Sequence, residues 1–283
     1  MTDGYRFELM DVSAPPELAA ASALLRRVFA GAKHLTARHL AWQYRDNPDG
    51  AAVACNAYFG EELVGHMAAL PMLGRFDGEV RPGLFMANGA VDADHRRRGL
   101  QSRISAAIFE EAVRRGYDFC FGTGNRYSTI PLLTRFKLIG PLDARIGLGM
   151  PARSWSTEPA SFERQWSEQA LRWRLADPER PAAVRARAGD VAMLAATGVP
   201  GVAAILMAGR NEWRMESAGA APGPFRLWLG LDRAIDWAAS TFVSVPTRLR
   251  PSPLNLVFKD LAGAGLAPDP ARLVFRAIDF DPY

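Results

Sequence analysis

The feature that most constrains the fold is one stretch in which an apolar segment, a basic loop, a glycine and a helical pattern follow one another. The apolar segment is "FMANGAV", which ends at Val91, and the loop contains the arginine run at positions 96–98. Beyond Gly99, apolar residues recur at helical spacing from Leu100 until Gly116 closes the pattern. This order predicts a buried strand, a tight loop and the N-terminus of a long helix.

A helix that starts at Gly99 is suited to bind a phosphate group. The first N–H groups of a helix lack intrahelical partners, so a phosphate at Gly99–Ser102 would accept several main-chain hydrogen bonds. The neighbouring arginines add charge-assisted hydrogen bonds, and a glycine lets the phosphate approach closely. A nucleic-acid contact is the alternative, but the net charge is only +4 and no aromatic residues alternate with the arginines.

The first 150 residues have the pattern of an α/β (α+β) domain with a mixed, mostly antiparallel sheet flanked by helices. Short apolar runs between turn signals predict a three-stranded antiparallel meander with a hairpin at Asp77-Gly78. The predicted order is a strand at 5–12, helices at 13–30 and 36–46, the meander, the helix from Gly99, a strand at 117–124, a helix at 128–140 and a strand near 150.

The second half carries an echo of the first. "LAWQYRDNPDG" at 40–50 resembles "LRWRLADPERP" at 171–181, with Leu40 matching Leu171 and Asp46 matching Asp177 at an offset of 131 residues. Strands are predicted between further helices at 231–240 and 252–263. The same offset carries Gly99 to Gly230, in "LWLGLD", where the basic loop is missing. The pattern predicts three parts, namely a domain at 1–150, a linker at 151–161 and a degenerate copy at 162–283.

Cysteine usage and the N-terminus bear on location. Cys55 and Cys120 each lie in an apolar run with no Cys or His at metal-ligand spacing, which predicts buried thiols and no metal site. The N-terminus lacks the basic start and apolar core of a signal peptide, and no run approaches the ~20 apolar residues of a membrane span. We therefore expect a cytoplasmic protein without a membrane partner.

The stretch "VDADHRRRGLQSRI" resembles motif A of the GCN5-related N-acetyltransferase (GNAT) superfamily. Val91, Arg96 and Gly99 occupy the places of the motif, whereas Gln101 stands where the family has Gly or Ala. Downstream, "FGTGNRYSTIPLLTRFKLIG" is similar to the family's next strand and helix, with Asn125 at the helix start. The resemblance covers about half of the chain, and the second half resembles the degenerate copy of tandem acetyltransferases.

The resemblance implies the acyl-CoA N-acyltransferase fold, in two tandem copies, with acetyl-CoA or another acyl-CoA as co-substrate and no metal. The pyrophosphate would lie on the amides of Arg97–Ser102, and the pantetheine arm would pair with the strand end, with Asn125 orienting it. The implied donor-binding residues are Gly89, Ala90, Val91, Arg96, Arg97, Arg98, Gly99, Leu100, Gln101, Ser102 and Asn125.

The implied reaction is direct attack of an amine on the thioester, stabilised by main-chain donors near Val91. The family often protonates the leaving thiolate with a Tyr, but Leu132 and Leu133 occupy those places. Tyr127, Ser128 or water are the candidates that remain for this step.

The general base is less well defined. His66 has a suitable intrinsic pKa, but a lone strand histidine is also a common core residue. Asn88 interrupts an apolar strand next to the expected thioester, so it either orients an acceptor or forms a turn or bulge.

Three acceptor and ligand classes stay open. Tandem family members resemble enzymes that acylate amino sugars, which suggests a nucleotide-linked amino sugar as the small-molecule amine acceptor. N-acyl amino acid synthases are the second enzymatic model. The rival class is a non-catalytic module of the same fold that binds CoA, another ligand or nucleic acid. The oligomeric state stays open between monomer and homodimer.

Overall fold

The computed structural model describes residues 4–126, 128–153, 159–220, 223–250 and 252–280, and all that follows concerns these residues. The helices are α1 Pro15–Val28, α2 Ala37–Tyr44, α3 Leu100–Arg114, α4 Thr129–Leu133 and α5 Glu168–Leu175. The first strands are β1 Tyr5–Leu9, β2 Val53–Phe59, β3 Glu62–Phe76, β4 Glu79–Val91, β5 Phe119–Gly124 and β6 Lys137–Pro141. The later strands are β7 Asp143–Leu148, β8 Ala152–Arg153, β9 Glu163–Gln165, β10 Ala183–Arg187, β11 Asp190–Ala196, β12 Val202–Arg210, β13 Phe225–Leu231, β14 Ile235–Asp236, β15 Val243–Ser244, β16 Asn255–Asp260 and β17 Phe275–Arg276.

The chain divides into two compact units. The first comprises residues up to Leu73, Arg81–Leu138 and Val257–Ala267. Its sheet has the order β1-β2-β3-β4-β5-β16-β6. The β1/β2 and β2/β3 pairs are antiparallel, whereas β4 and β5 are parallel. This confirms the predicted mixed sheet.

Alternation along β2 explains how helices cover both faces of this sheet. Val53, Cys55 and Ala57 belong to a core cluster with α3, whereas Ala54 packs in a second cluster with α1 and α2. Successive residues of a strand point to opposite faces, so an almost wholly apolar strand requires cover on both sides. The predicted hairpin at Asp77-Gly78 is present, with φ angles of 43° and 100° at its two turn residues.

The cysteines are buried, as predicted. Neither Cys55 nor Cys120 has any exposed surface. Burial raises the pKa of the Cys55 thiol to about 11 and that of the Cys120 thiol well above its usual range. Both thiols are therefore protonated at neutral pH. Among the helices described, none combines the length and apolar character that crossing a bilayer requires.

The second unit comprises Gly74–Val80, Ile139–Leu256 and the chain from Pro268 onward. Its main sheet has the order β10-β11-β12-β13-β7-β15, in which β12 and β13 are parallel. The predicted boundary at residue 150 differs from this division, because residues 139–150 belong to the second unit and 257–267 to the first. Within the predicted linker 151–161, the structure describes β8, and residues 154–158 lie outside the described part.

The predicted 131-residue offset appears in the helices. α5 starts and ends 131 positions after α2, and both are capped by a hydroxyl, of Thr36 in α2 and of Ser167 in α5. The match of Asp46 with Asp177 is wrong by one residue. Asn47 accepts from the amide of Asp49 (3.0 Å) as Asp177 accepts from that of Glu179 (2.9 Å), so the offset in this turn is 130.

Three predicted helices are wrong in whole or in part. The segment 128–140 forms only the short α4 and then β6, the segment 231–240 contains β14, and 252–263 contains β16. In β16, Phe258 is buried and its ring centroid lies 5.0 Å from that of Phe121. Short apolar runs fit a buried strand and a helix equally well. Here the run lies inside the sheet, between β5 and β6, and therefore forms a strand.

Candidate functional site

β4 and β5 part at their carboxyl ends. The parallel pairing runs from Gly83 opposite Phe119 to Met86 opposite Gly122, and β4 then continues to Val91. The last five residues of β4 are thus no longer paired with β5. Such an opening exposes a main-chain edge that can pair with an extended ligand.

The loop after β4 is held by its own polar groups. Asp92 accepts from the amide of Asp94 (3.2 Å) and so caps a short 3-10 helix at Ala93–His95. Arg96 donates from Nε to the carbonyl of Val91 (3.2 Å). Arg97 has a left-handed φ of 63°, which turns the chain towards α3. These contacts connect the end of β4 with the start of α3.

Gly99 is the N-cap residue of α3. Its φ is 73°, and a Cβ added there would meet nothing within 4 Å. A glycine cap supplies no side-chain acceptor, and the first-turn amides of Leu100, Gln101 and Ser102 have no carbonyl one turn earlier. Because the backbone is left-handed and the space in front of it is open, the main-chain N–H groups of the first turn are accessible to a ligand. A side chain at position 99 would fill this space.

The opening in the sheet and the start of α3 share one cavity of about 920 Å³. It contains every predicted donor-site residue except Arg98. The full lining is Val28, Phe29, Gly89, Ala90, Val91, His95, Arg96, Arg97, Gly99, Leu100, Gln101, Ser102, Asn125, Ser128 and Thr134.

Four of these lining residues were not expected from the sequence. Val28 and Phe29 come from the end of α1, about 70 residues before the loop, and no motif marks them. His95 directly precedes the arginine run and was not singled out in the sequence, and its Nδ1 lies 2.8 Å from the hydroxyl of Tyr5. Thr134 follows α4.

Asn125 and Ser128 form a reciprocal cap at the start of α4. The Ser128 amide donates to Asn125 Oδ1 (2.9 Å), and the Asn125 amide donates to Ser128 Oγ (2.9 Å). Both residues line the cavity. Tyr127 lies outside the described residues. Of the two places where the family often has Tyr, Leu132 is buried in the core and Leu133 is exposed.

His66 is buried away from this cavity. It has no exposed surface, its Nδ1 lies 2.8 Å from Asn56 Oδ1, and its Nε2 lies 3.0 Å from the Tyr44 hydroxyl. Burial lowers the pKa of His66 to about 3, so the ring is neutral at physiological pH. With both nitrogens engaged inside the core, His66 does not have the geometry of a general base.

Of the two interpretations of Asn88, as a residue that orients an acceptor or as a turn or bulge residue, its backbone geometry fits the second. Its φ is 54°, and its side-chain amide donates to Gln43 Oε1 (2.7 Å) and to the Tyr44 hydroxyl (2.8 Å). A side chain held by two partners inside the protein is not directed at an acceptor.

A parallel strand pair that parts beside a glycine-capped helix, within a mostly antiparallel sheet, defines the acyl-CoA N-acyltransferase fold. Residues 14–136 match the family model described as an acetyltransferase (GNAT) domain. This segment of the chain is thus a GNAT domain, and the activity class that such a domain supports is acyl-CoA-dependent N-acetyl transfer. None of the curated proteins matches the chain by sequence.

Solved structures share this fold over most of the chain. A probable N-acyltransferase from Enterococcus faecalis V583 has a TM-score of 0.64 at 10% identity, over 91% of this chain and 73% of its own. N-myristoyltransferase from Saccharomyces cerevisiae, with bound myristoyl-CoA and inhibitors, has a TM-score of 0.61 at 9% identity, over 92% and 81%. A GCN5-related N-acetyltransferase from Kribbella flavida has a TM-score of 0.59 at 13% identity, over 92% and 72%. At these identities the likeness concerns the fold alone.

Proposed function

We propose that this protein transfers the acetyl group of acetyl-CoA to the amine of a small acceptor, with the donor bound in the cavity between β4 and α3. The observation that carries the proposal is Gly99. A left-handed glycine with open space in front of it caps a 15-residue helix without a side-chain acceptor. A pyrophosphate supplies the anionic oxygens that these main-chain donors lack.

The proposed donor contacts follow the cavity from one end to the other. The amides of Arg97–Ser102 bind the pyrophosphate, and the exposed side chains of Arg96 and Arg98 add positive charge at its rim. The unpaired edge at Gly89–Val91 binds the pantetheine amides as an added strand would. Asn125, directly after β5, lines the same cavity and is proposed to orient the arm.

In this proposal the donor brings an acyl thioester. The protein positions the thioester and stabilises the negative charge that develops on its oxygen. The main chain at the end of β4 donates to the thioester oxygen as the amine attacks. The Ser128 hydroxyl lines the same cavity and is the described candidate for protonating the departing thiolate, with Tyr127 or water as the alternatives. Deprotonation of the acceptor is assigned to solvent, because His66 is buried and engaged on both nitrogens.

A nucleotide-linked amino sugar is the first acceptor that we propose, on the basis of the resemblance to tandem acetyltransferases, and amino acids and other small amines come second.

The purified protein is incubated with acetyl-CoA and a panel of these amines, and the released thiol is measured. Thiol release that depends on one amine supports the enzyme. CoA binding without turnover of any amine favours the non-catalytic module, and duplex binding that weakens steeply with salt favours the nucleic-acid alternative.

Donor binding is tested with Gly99→Asp. The new carboxylate would accept from the first-turn amides and repel a pyrophosphate, so we expect the Kd for CoA, measured by calorimetry, to rise about 100-fold or more. Gly116→Asp is the matched control, because Gly116 is also left-handed (φ 80°), borders the other end of α3 and has equal open space. Similar CoA affinity in both variants would exclude this cavity as the donor site.

A further inference from the structure

A chain of hydrogen-bonded side chains, here called the polar chain, links α2, β2, β3 and β4 on one face of the first sheet. It passes between residues that are far apart in sequence and fully or mostly buried. Its members, in order, are Asn56, His66, Tyr44, Asn88 and Gln43.

From Asn88 to Asn56 the hydrogen bonds of the polar chain run in one direction, and at its other end Asn88 also donates to Gln43. Asn56 Nδ2 lies 3.3 Å from the Tyr58 hydroxyl, which leaves Oδ1 as the acceptor for His66 Nδ1 at 2.8 Å. His66 Nδ1 therefore carries the proton, and Nε2 accepts from the Tyr44 hydroxyl at 3.0 Å. The Tyr44 oxygen in turn accepts from Asn88 Nδ2 at 2.8 Å. Each group thus has one defined role, as donor or acceptor, towards each neighbour.

The members of the polar chain are uncharged at neutral pH. Tyr44 and His66 have no exposed surface. Burial raises the pKa of the Tyr44 hydroxyl far above its usual range and lowers the pKa of the His66 ring to about 3. A buried and fully hydrogen-bonded network of neutral groups is rigid, because breaking any one bond leaves a buried polar atom without a partner.

Asn88, the member of the polar chain on β4, has a strained backbone and directly precedes residues that line the cavity. Asn88 has a φ of 54°, a conformation that costs a non-glycine residue roughly 1–2 kcal/mol. The next three residues along β4, Gly89–Val91, line the cavity. The backbone direction at Asn88 therefore sets the direction of the main-chain groups that follow it.

The second unit shows that the fold itself does not require the polar chain. α5 ends 131 positions after α2, and β10 pairs with β11 as β2 pairs with β3. The positions that correspond to Tyr44, Asn56 and His66 are Leu175, Ala186 and Val191. Apolar side chains thus stand at these positions in the second unit, where the described residues between β12 and β13 contain no helix.

We infer that Tyr44 and His66 are positioning residues, which act through Asn88 to hold the end of β4 in the direction that presents its main chain to the donor thioester. This inference rests on the proposed function. It assigns no proton transfer to the polar chain, and it explains why a buried histidine and tyrosine lie behind the strand that borders the cavity.

The test is Tyr44→Phe, which removes one hydroxyl and keeps the ring. We expect kcat for acetyl transfer to fall about 10- to 100-fold through misplacement of the thioester, while the Kd for CoA changes less than about twofold. In an Asn88→Gly background, where glycine adopts the same φ without a tether, we expect the added effect of Tyr44→Phe to shrink to about twofold. Tyr117→Phe, which lies outside the polar chain, is the control.

An equal loss of kcat from Tyr44→Phe in both backgrounds, or a loss confined to CoA affinity, overturns the inference. The outcome is separated from the proposed function by NMR, which needs no turnover. Whether or not any amine is acetylated, we expect His66 of the unmodified protein to be the neutral Nδ1–H tautomer. We also expect the amide resonances of Asn88 and Gly89 to shift in Tyr44→Phe and to stay unchanged in Tyr117→Phe. An Nε2–H tautomer, or unchanged resonances, also overturns it.

Discussion

At the carboxyl end of β4 the parallel pairing with β5 stops at Met86, and at the carboxyl end of β12 the pairing with β13 stops at Ile205. β4 continues for five residues to Val91, and β12 continues for five residues to Arg210. The two units therefore make the same opening in the same kind of strand pair. The opening is a property of the sheet, and by itself it does not make a donor site.

The segments that follow the two strands differ. After β4 come the capped loop, Gly99 and the 15 residues of α3. After β12, the described residues 211–220 and 223–224 are mostly irregular, with a turn at 212–213 and an isolated β-bridge at Ala218, and contain no helix. The predicted counterpart of Gly99 was wrong, because Gly230 lies within β13. A fixed offset fails here because the described residues between β12 and β13 contain no helix that corresponds to α3.

The second opening is filled by the protein's own groups. Arg153 donates from Nη1 to the carbonyl of Ala208 (2.5 Å), on the part of β12 that has left β13. Asp232, whose side chain has no exposed surface, lies 2.8 Å from Arg276 Nε and 3.6 Å from Arg153 Nη1. The cavity that remains beside them measures about 330 Å³. We infer that the proposed donor site depends on an unpaired strand edge together with a helix N-terminus that has no side-chain cap, and only the first unit has both in the part of the chain described.

The largest effect is expected from Asp232→Ala, which tests whether this ion cluster closes the second opening. Removing the carboxylate leaves two mostly buried guanidinium groups without their shared partner, so we expect the free energy of unfolding, from urea titration, to fall by about 3–5 kcal/mol. Glu8→Ala, at an exposed pair with Arg6, is the control and should cost less than about 1 kcal/mol. Equal losses in the two variants would contradict a closing role for Asp232.

A smaller effect concerns pH, because the polar chain exists only in the first unit. The folded pKa of His66, about 3, lies below the unfolded value of about 6.5, so below pH 6.5 the unfolded chain binds a proton that the native protein does not. Stability is therefore complete above pH 6.5 and is lost as the pH falls towards 3.

We expect this one group to lower the free energy of unfolding by about 1–2 kcal/mol between pH 6.5 and 5, and we expect the loss to be absent in His66→Gln. Urea titrations of both proteins at the two pH values measure the difference. The same pH dependence in the two proteins would show that His66 is not held neutral in the core.

Local patterns predicted the elements that form the proposed donor site where these elements are consecutive in sequence. The strand, the arginine loop, Gly99 and the helix that starts at Leu100 are consecutive, so apolar spacing and one glycine were sufficient to find them. The hairpin at Asp77-Gly78 was found for the same reason.

Features built from distant segments were not predicted. The run 252–263 has the composition of either element, and its place between β5 and β6, about 130 residues away in sequence, makes it a strand. The polar chain joins α2, β2, β3 and β4, and nothing in the spacing of Tyr44, His66 and Asn88 indicates that they meet. His66 therefore looked like a candidate base when only its intrinsic pKa was considered.

The smallest effect is expected from one pair of glycines near the two strand ends. A Cβ at Gly89 would lie 2.8 Å from Met67 Cε, whereas a Cβ at Gly209 would meet nothing within 4 Å. The sulfur of Met67 accepts from the hydroxyl of Ser105, on α3, at 3.6 Å. Gly209→Ala should raise the free energy of unfolding by about 0.5 kcal/mol, because alanine restricts the unfolded chain.

Gly89→Ala should lower the free energy of unfolding by about 1 kcal/mol, because Met67 must move towards α3. Since that movement shifts the helix whose N-terminus lines the cavity, the Kd for CoA should rise a few-fold in Gly89→Ala and stay constant in Gly209→Ala. Thermal unfolding and CoA titration of both variants measure these differences. An affinity change of the same size at Gly209 would mean that the closed opening contributes to donor binding, and the distinction between the two strand ends would then fail.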